Sequence, residues 1–273
     1  MSAASGDEKR IGVREFRARK TTGDPLVVVA AYDTLFARLA DEGGVDAVLV
    51  GDSLGNVVAG FDSTIPVTLD QMIYHGAAAR RGVARAMLIV DMPFLTCQLG
   101  VERAMINCGR VMQETGAHAV KIEGGDEESA QAVKAVVRLG IPVMGHIGFT
   151  PQSVNTLGGF RVQGREPEAA QRLIDEARRL EDAGAYSVVL ELVPSAVAQA
   201  VTDAVTIPTI GIGAGAGCDG QVLVLFDLLG LTDRFSPKFL KRYASMAEDV
   251  RSAVRRFRED VVDGRYPDSD HSF

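Results

Sequence analysis

The chain has 273 residues, 47% hydrophobic and 24% charged, so it is long enough to bury the full core of one α/β domain. Its net charge of −7 argues against a nucleic-acid or membrane-surface partner, because both present negative charge to a protein. No apolar run is long enough to span a bilayer and the three cysteines have no CxxC spacing, so we expect a cytoplasmic protein without a disulfide framework or structural zinc.

Along the chain, residues 1–10 are small, polar or charged and are predicted to form a disordered tail, with one domain over residues 11–273. From Pro25 onward, short β-branched runs alternate with longer segments of helical periodicity, which is typical of parallel βαβ units. The predicted strands are residues 26–31, 47–51, 87–91, 119–123, 142–146, 187–191, 209–212 and 222–226. The predicted helices are residues 34–41, 68–82, 101–115, 127–139, 166–183 and a terminal helix over 236–263, with Ser236 as N-cap and Gly264 as stop signal. Eight such strands predict an α/β fold of the (β/α)8 TIM-barrel type, with an open doubly wound sheet as the alternative, because periodicity cannot show closure.

Acidic residues close four of the predicted strands. The runs read VLVGDS with Asp52, MLIVDMPF with Asp91, AVKIEGG with Glu123 and SVVLELVP with Glu191. A single acid after a strand is commonly a helix cap or a loop former. Strands two, three and four are neighbours in a barrel, however, so Asp52, Asp91 and Glu123 are expected to meet at one mouth, where their repulsion calls for a cation. An all-oxygen set favours a magnesium-type ion over zinc.

Two further spacings extend this candidate site. Lys121 and Glu123 are two residues apart on one strand and therefore point to the same face, where the lysine would meet its acidic neighbours or a substrate carboxylate. A buried ion pair without a catalytic role is the alternative. Glu191 ends strand six, away from the proposed cation and among apolar neighbours, which suits a general base. Its alternative is an ordinary polar contact to a loop.

Two other features are weaker. His146 ends strand five and is interpreted either as a hydrogen-bonding neighbour of the site or as a core histidine, without a ligand role. Residues 148–165 are polar, glycine-rich and too long for a simple βα connection, so they are interpreted as a lid or binding loop, or as an inert excursion.

A run of motifs carries a family resemblance. In order from about Val27 to the C-terminal YPDSDHSF, the chain contains AAYD, VGDSLG, DSTIPVT, VDMPF, KIEGG, GHIGFTPQSVN, VQGR, LELVP and IGIGAG. Together they resemble the ketopantoate hydroxymethyltransferase family. The resemblance implies a cytoplasmic barrel enzyme of pantothenate and coenzyme A biosynthesis, similar in architecture to the phosphoenolpyruvate mutase and isocitrate lyase group. The resemblance also implies the family's reaction, which moves a hydroxymethyl group from 5,10-methylenetetrahydrofolate to 3-methyl-2-oxobutanoate through a metal-stabilised enolate and gives ketopantoate (2-dehydropantoate).

The family's site residues map onto this sequence position by position. Its metal ligands fall on Asp52, Asp91 and Glu123, which implies one Mg²⁺ per subunit. Its contacts to the 2-oxo acid fall on Asp52 with Ser53, on Asp91 and on Lys121.

The family's proton acceptor falls on Glu191, and the resemblance also implies a homodecamer.

Three other functions are kept as alternatives. The first is a Schiff-base aldolase that uses Lys121 without a metal. The second is a metal-dependent carbon–carbon lyase or mutase acting on a 2-oxo acid, and the third is a non-catalytic barrel that serves as an assembly subunit.

Overall fold

The structure is a computed structural model that describes residues 10–232 and 236–273. The predicted disordered tail, apart from Arg10, lies outside the described residues. The chain divides into two compact units, the first ending at Val224 and the second running from Leu225 to Phe273. The single domain expected over residues 11–273 therefore stays a prediction. Among the described residues, none of the helices combines the length and the apolar character needed to cross a membrane.

A closed parallel barrel forms the first unit. Its strands pair in chain order and the last pairs with the first, which confirms the barrel and excludes the open sheet. The strands are β1 (Leu26–Ala30), β2 (Ala47–Val50), β3 (Met87–Asp91), β4 (Ala119–Glu123), β5 (Val143–Gly148), β6 (Ser187–Glu191), β7 (Thr209–Ile212) and β8 (Gly220–Val224). Strands β2, β3 and β4 are buried throughout, as expected when a sheet is covered on both faces.

Helices surround this barrel. Those of the first unit are α1 (Val13–Thr22), α2 (Thr34–Glu42), α3 (Leu54–Val57), α4 (Leu69–Arg80), α5 (Val101–Thr115), α6 (Glu127–Arg138), α7 (Val154–Leu157), α8 (Pro167–Asp182) and α9 (Ser195–Ala204). The second unit contains α10 (Leu225–Leu228) and α11 (Met246–Val262). Side-chain caps start several of them: the Asp33 carboxylate accepts the Phe36 N–H at the start of α2, and the Asp126 carboxylate accepts the Ser129 N–H at the start of α6. Helices α2, α4, α5, α6 and α8 contact the strands and form the outer layer.

Two predicted elements were placed wrongly. Strand β8 begins at Gly220 rather than 222, and residues 225–226 belong to α10. The pattern missed Gly220 because glycine normally weakens a strand, but here a Cβ would lie 2.5 Å from the Leu26 carbonyl oxygen of β1, so the close backbone approach requires glycine.

The terminal helix begins at Met246, not at Ser236. The preceding segment pairs its backbone with the end of α10 instead of with itself, since Tyr243 N–H donates to the Leu228 carbonyl and Met246 N–H to the Leu229 carbonyl. The stop signal is confirmed, because Gly264 follows the helix with φ +70°. Helices α1 and α9 and the short helices α3, α7 and α10 were not predicted.

Strand register brings the carboxyl ends of the neighbouring strands β3 to β6 together. Asp91 of β3 pairs with Lys121 of β4, and Glu123 of β4 pairs with His146 of β5. Strand β5 continues two residues beyond its predicted end, so that Gly148 pairs with Glu191 of β6. The polar residues of four consecutive strands therefore lie along one rim.

Candidate active site

Three buried carboxylates meet at this rim. Asp52 follows β2, Asp91 ends β3 and Glu123 ends β4, and they are only 3%, 1% and 5% exposed. One oxygen from each lies within 4.8 Å of one oxygen from each of the others. The expected convergence of these three residues is therefore confirmed as geometry, while their role as metal ligands stays a prediction.

The carboxylates are only partly satisfied by the protein. Asp91 Oδ2 accepts the backbone N–H of Asp52 at 3.2 Å and lies 2.9 Å from Lys121 Nζ. Asp91 Oδ1 and Glu123 Oε1 are buried without a hydrogen-bond partner in the described part of the chain. Buried unpaired carboxylate oxygens are costly. This donor set therefore fits a hard cation, which would satisfy both oxygens at once.

The pKa shifts of the three carboxylates also favour a bound cation. Burial raises the pKa of Asp52 to about 6, and the charge of Glu123 adds to the rise against the opposing effect of Lys121. Burial also raises the pKa of Asp91 well above its usual range and raises that of Glu123, although the Lys121 ammonium opposes both shifts. The ionised cluster is therefore short of positive charge, and a bound cation would favour the ionised forms.

Lys121 faces the barrel interior together with Glu123, as the spacing predicted. Its Nζ lies 2.9 Å from Asp91 Oδ2, 3.0 Å from His146 Nδ1 and 3.8 Å from Glu123 Oε1. Burial alone would lower the pKa of Lys121, but the charges of Asp91, Glu123 and Asp52 outweigh it and hold the pKa above its usual value. This environment favours the protonated amine, which argues against the Schiff-base alternative, because attack on a carbonyl needs the neutral form.

Gln152 stabilises the cluster, although no pattern in the sequence pointed to it. Its backbone N–H donates to Glu123 Oε2 at 3.1 Å, and its side-chain amide donates to Asp52 Oδ2 and to the Met92 carbonyl, each at 2.9 Å. The side chain of Gln98 in turn donates to Gln152 Oε1 at 3.1 Å. Gln152 lies in a 3₁₀ turn within residues 148–165, so at least this part of the long polar segment folds onto the carboxylates.

The two remaining site residues flank the cluster. The Glu191 side chain is 17% exposed at the rim, and its Oε2 lies 3.3 Å from His146 Nε2. Burial and the Lys121 charge lower the pKa of His146, against an opposing effect of Glu191, which favours a neutral imidazole. Ser53 is half-buried directly after Asp52, and its hydroxyl lies 2.8 Å from the Tyr32 hydroxyl. Neither placement tests the predicted roles of Glu191 and Ser53.

Known proteins match this chain closely in sequence. The profile of a family described as ketopantoate hydroxymethyltransferase matches residues 10–269. A 3-methyl-2-oxobutanoate hydroxymethyltransferase from Syntrophus aciditrophicus is 52% identical over 265 residues, covering 97% of each chain. The enzyme of the same name from Pelobacter propionicus is 51% identical and covers 97% of this chain and 98% of its own.

Solved structures match the fold at lower identity. Phosphonopyruvate hydrolase in complex with oxalate and Mg²⁺ gives a TM-score of 0.62 at 14% identity, covering 95% of this chain and 92% of that chain. A 2,3-dimethylmalate lyase of the PEP mutase/isocitrate lyase superfamily gives 0.61 at 18% identity, covering 95% and 91%. These likenesses confirm the architecture expected from the resemblance. The lyase and mutase alternatives correspond to such fold neighbours rather than to the relatives of about 50% identity.

Proposed function

This chain belongs to the ketopantoate hydroxymethyltransferase family, and from that premise we propose that Asp52, Asp91 and Glu123 hold one magnesium ion per subunit while Glu191 takes a proton from the bound 2-oxo acid. The activity is transfer of a hydroxymethyl group to 3-methyl-2-oxobutanoate, which yields ketopantoate for pantothenate and coenzyme A biosynthesis. The proposed donor of the one-carbon unit is 5,10-methylenetetrahydrofolate.

The carboxylate cluster is the observation that carries the metal proposal. Three buried acids share one rim, and two of them keep an oxygen without a hydrogen-bond partner in the described residues. The ligand atoms are all oxygen, which suits magnesium better than zinc. A barrel of the same fold in complex with oxalate and Mg²⁺ adds support by analogy.

Binding and orienting the substrate falls to residues of the same rim. When bound, the cation supplies Lewis-acid polarisation of the 2-oxo group, which stabilises negative charge on the substrate. The Lys121 ammonium lies between Asp91 and His146, and its remaining N–H donates a hydrogen bond to the anionic substrate and fixes its orientation. Asp52 and Ser53 line the same rim directly after β2 and complete the proposed contacts to the 2-oxo acid.

Proton removal is assigned to Glu191. Its carboxylate ends β6 and lies across the His146 ring from Glu123, since Nδ1 is 3.3 Å from Glu123 Oε1 and Nε2 is 3.3 Å from Glu191 Oε2. A base set apart from the cation keeps its own lone pairs available for the proton at C3. The C3 carbon then bonds to the methylene carbon of the donor, both carbon–nitrogen bonds of that methylene group break, and water supplies the hydroxyl oxygen. Tetrahydrofolate leaves with two added N–H protons, one that came from C3 and one from the water.

Consumption of 3-methyl-2-oxobutanoate with and without the folate donor, before and after chelation, tests this proposal. We expect turnover only when donor and metal are both present, loss of turnover in EDTA, and recovery on adding Mg²⁺. Calorimetric titration of the metal-free protein with Mg²⁺ gives an independent readout and should show one site per subunit. Turnover that survives EDTA, with substrate trapped on Lys121 by borohydride, would instead support the Schiff-base route.

The family resemblance also supports a cytoplasmic homodecamer, which forms part of the same proposal. Light scattering should give ten times the subunit mass. A different mass would remove the decamer without affecting the assigned chemistry.

A further inference from the structure

His146 lies between the carboxylate cluster and Glu191, and its ring touches both. Its Nδ1 lies 3.0 Å from Lys121 Nζ, and its Nε2 lies 3.3 Å from Glu191 Oε2. The residue is 2% exposed, and Nε2 has no hydrogen-bond partner among the residues that the structure describes. A buried ring nitrogen aimed at the proposed base, yet unpaired, calls for an explanation.

The neighbouring ammonium determines which ring nitrogen carries the proton. A lysine ammonium has three donors and no acceptor, so the Nδ1 atom that it contacts must accept. Nδ1 also lies 3.3 Å from Glu123 Oε1, but it lies closer to the lysine, and a proton on Nδ1 would face an ammonium that can only donate. A neutral imidazole that accepts at Nδ1 carries its proton on Nε2. The unpaired atom beside Glu191 is therefore a donor.

Strand geometry holds this donor beside the carboxylate. His146 pairs with Val189 in the β5–β6 ladder, and Gly148 pairs with Glu191, so both polar side chains lie on the same face. A Cβ at Gly148 would clash with the Glu191 carbonyl oxygen, so the close approach of the two strands depends on glycine at this position.

We propose that His146 is a positioning residue: Lys121 fixes its tautomer, and its Nε2–H holds the Glu191 carboxylate in the orientation that takes the C3 proton. This inference rests on the proposed role of Glu191. The 3.3 Å separation is consistent with it, because catalytic hydrogen bonds are often long in a ligand-free site and shorten when substrate binds.

Two substitutions at His146 distinguish the roles of its two ring nitrogens. Glutamine places an amide N–H near the position of Nε2, whereas asparagine ends near Nδ1 and cannot reach Glu191. We expect His146→Asn to lower kcat by roughly 10–100-fold, with KM for the 2-oxo acid and Mg²⁺ affinity unchanged, and His146→Gln to stay within about threefold of the wild type. Equal losses in both variants, or a loss that appears in KM and metal affinity, would overturn the inference.

Exchange of the C3 proton in deuterated water, measured without the folate donor, connects the effect to Glu191. Glu191→Gln should lose exchange while still binding metal, and adding His146→Asn should cause no further loss, because the two residues act as one unit. If Glu191→Gln keeps full exchange, the proposed base itself is wrong. If Glu191→Gln loses exchange but His146→Asn does not, the positioning role alone is wrong.

Nitrogen-15 NMR of histidine-labelled unmodified protein tests the tautomer without changing His146. The chain has four histidines, so the His146 signals can be assigned by replacing His75, His118 and His271 one at a time. We expect the signals of a neutral ring protonated at Nε2. An imidazolium, or a ring protonated at Nδ1, would contradict the argument.

Discussion

Both ends of the barrel bury carboxylates. Among the described residues, those at the amino end are satisfied by hydrogen bonds, whereas some oxygens at the carboxyl end are left without a partner. At the amino end, the Asp41 carboxylate accepts the backbone N–H groups of residues 84–86 at 2.6–3.1 Å. The Asp46 carboxylate accepts the Val27 N–H at 2.8 Å and pairs with Arg19 at 3.2 Å. These carboxylates join the loop before β3, the start of β1 and helix α1, and their hydrogen bonds stabilise the fold.

At the carboxyl end, burial is just as deep but the pairing is incomplete. Asp91 Oδ1 and Glu123 Oε1 have no hydrogen-bond partner in the described chain, and burial raises the pKa of both residues. A protein accepts such a cost where function requires it. Burial of a carboxylate therefore does not identify a site by itself; the number of oxygens that the protein leaves unpaired distinguishes the two ends.

Asp91→Asn should produce the largest effect and should act on function. Loss of one charged ligand is expected to weaken Mg²⁺ binding and to lower kcat by about 10³-fold or more. The stability of the metal-free protein should change by less than about 1 kcal/mol, because the lost attraction to Lys121 is offset by relief of repulsion with the other two acids. Turnover, magnesium calorimetry and urea unfolding of the metal-free variant measure the three effects.

An unchanged magnesium titration in Asp91→Asn would remove this residue from the metal site. A large loss of metal-free stability would instead place Asp91 with the structural carboxylates of the amino end.

Asp41→Asn is the matched change at the other end. An amide presents an N–H₂ group to backbone donors that now share a carboxylate, so we expect the free energy of unfolding to fall by about 3 kcal/mol. Metal affinity and kcat of the folded fraction should equal those of the wild type. Urea unfolding and magnesium calorimetry measure both, and a loss of metal affinity at full folding would contradict the division between the two ends.

The sequence predicts where the acidic side chains lie better than it predicts their hydrogen bonds. Strands β3, β4, β6 and β7 have the predicted bounds, and the acids at strand ends converge because parallel strands in a barrel end at one rim. Gln152 could not be found in this way, since its partners Glu123 and Asp52 are 29 and 100 residues away and its own segment reads only as a polar loop. The sequence pattern therefore predicts the position of a carboxylate but not the number of its hydrogen bonds, because the donors come from distant parts of the chain.

Histidines repeat the contrast at a smaller scale. At the carboxyl end, His146 Nε2 has no hydrogen-bond partner within residues 10–232 and 236–273. By contrast His118, just before β4, is half-buried, and its Nδ1 accepts the Leu88 N–H at 2.8 Å. Burial, together with the charges of Arg10 and Arg80, lowers the pKa of His118 to about 4. Protonation would add a donor where the fold needs an acceptor, so this histidine belongs to the structural end.

His118→Asn should therefore show the smallest effect, and only in acid. Above pH 6.5 the histidine is neutral in both states; between pH 6.5 and about 4 the unfolded chain takes up a proton that the folded chain excludes, so the wild type loses stability. Asparagine offers a carbonyl oxygen near the position of Nδ1 and does not titrate. The variant should gain about 1–2 kcal/mol on the wild type across that range, a figure reduced for the partial exposure of His118. Urea unfolding of both chains at several pH values measures the difference, which isolates His118 from carboxylates that titrate nearby. A difference that stays constant from pH 7.5 to 4.5 would show that the folded chain binds this proton as readily as the unfolded one.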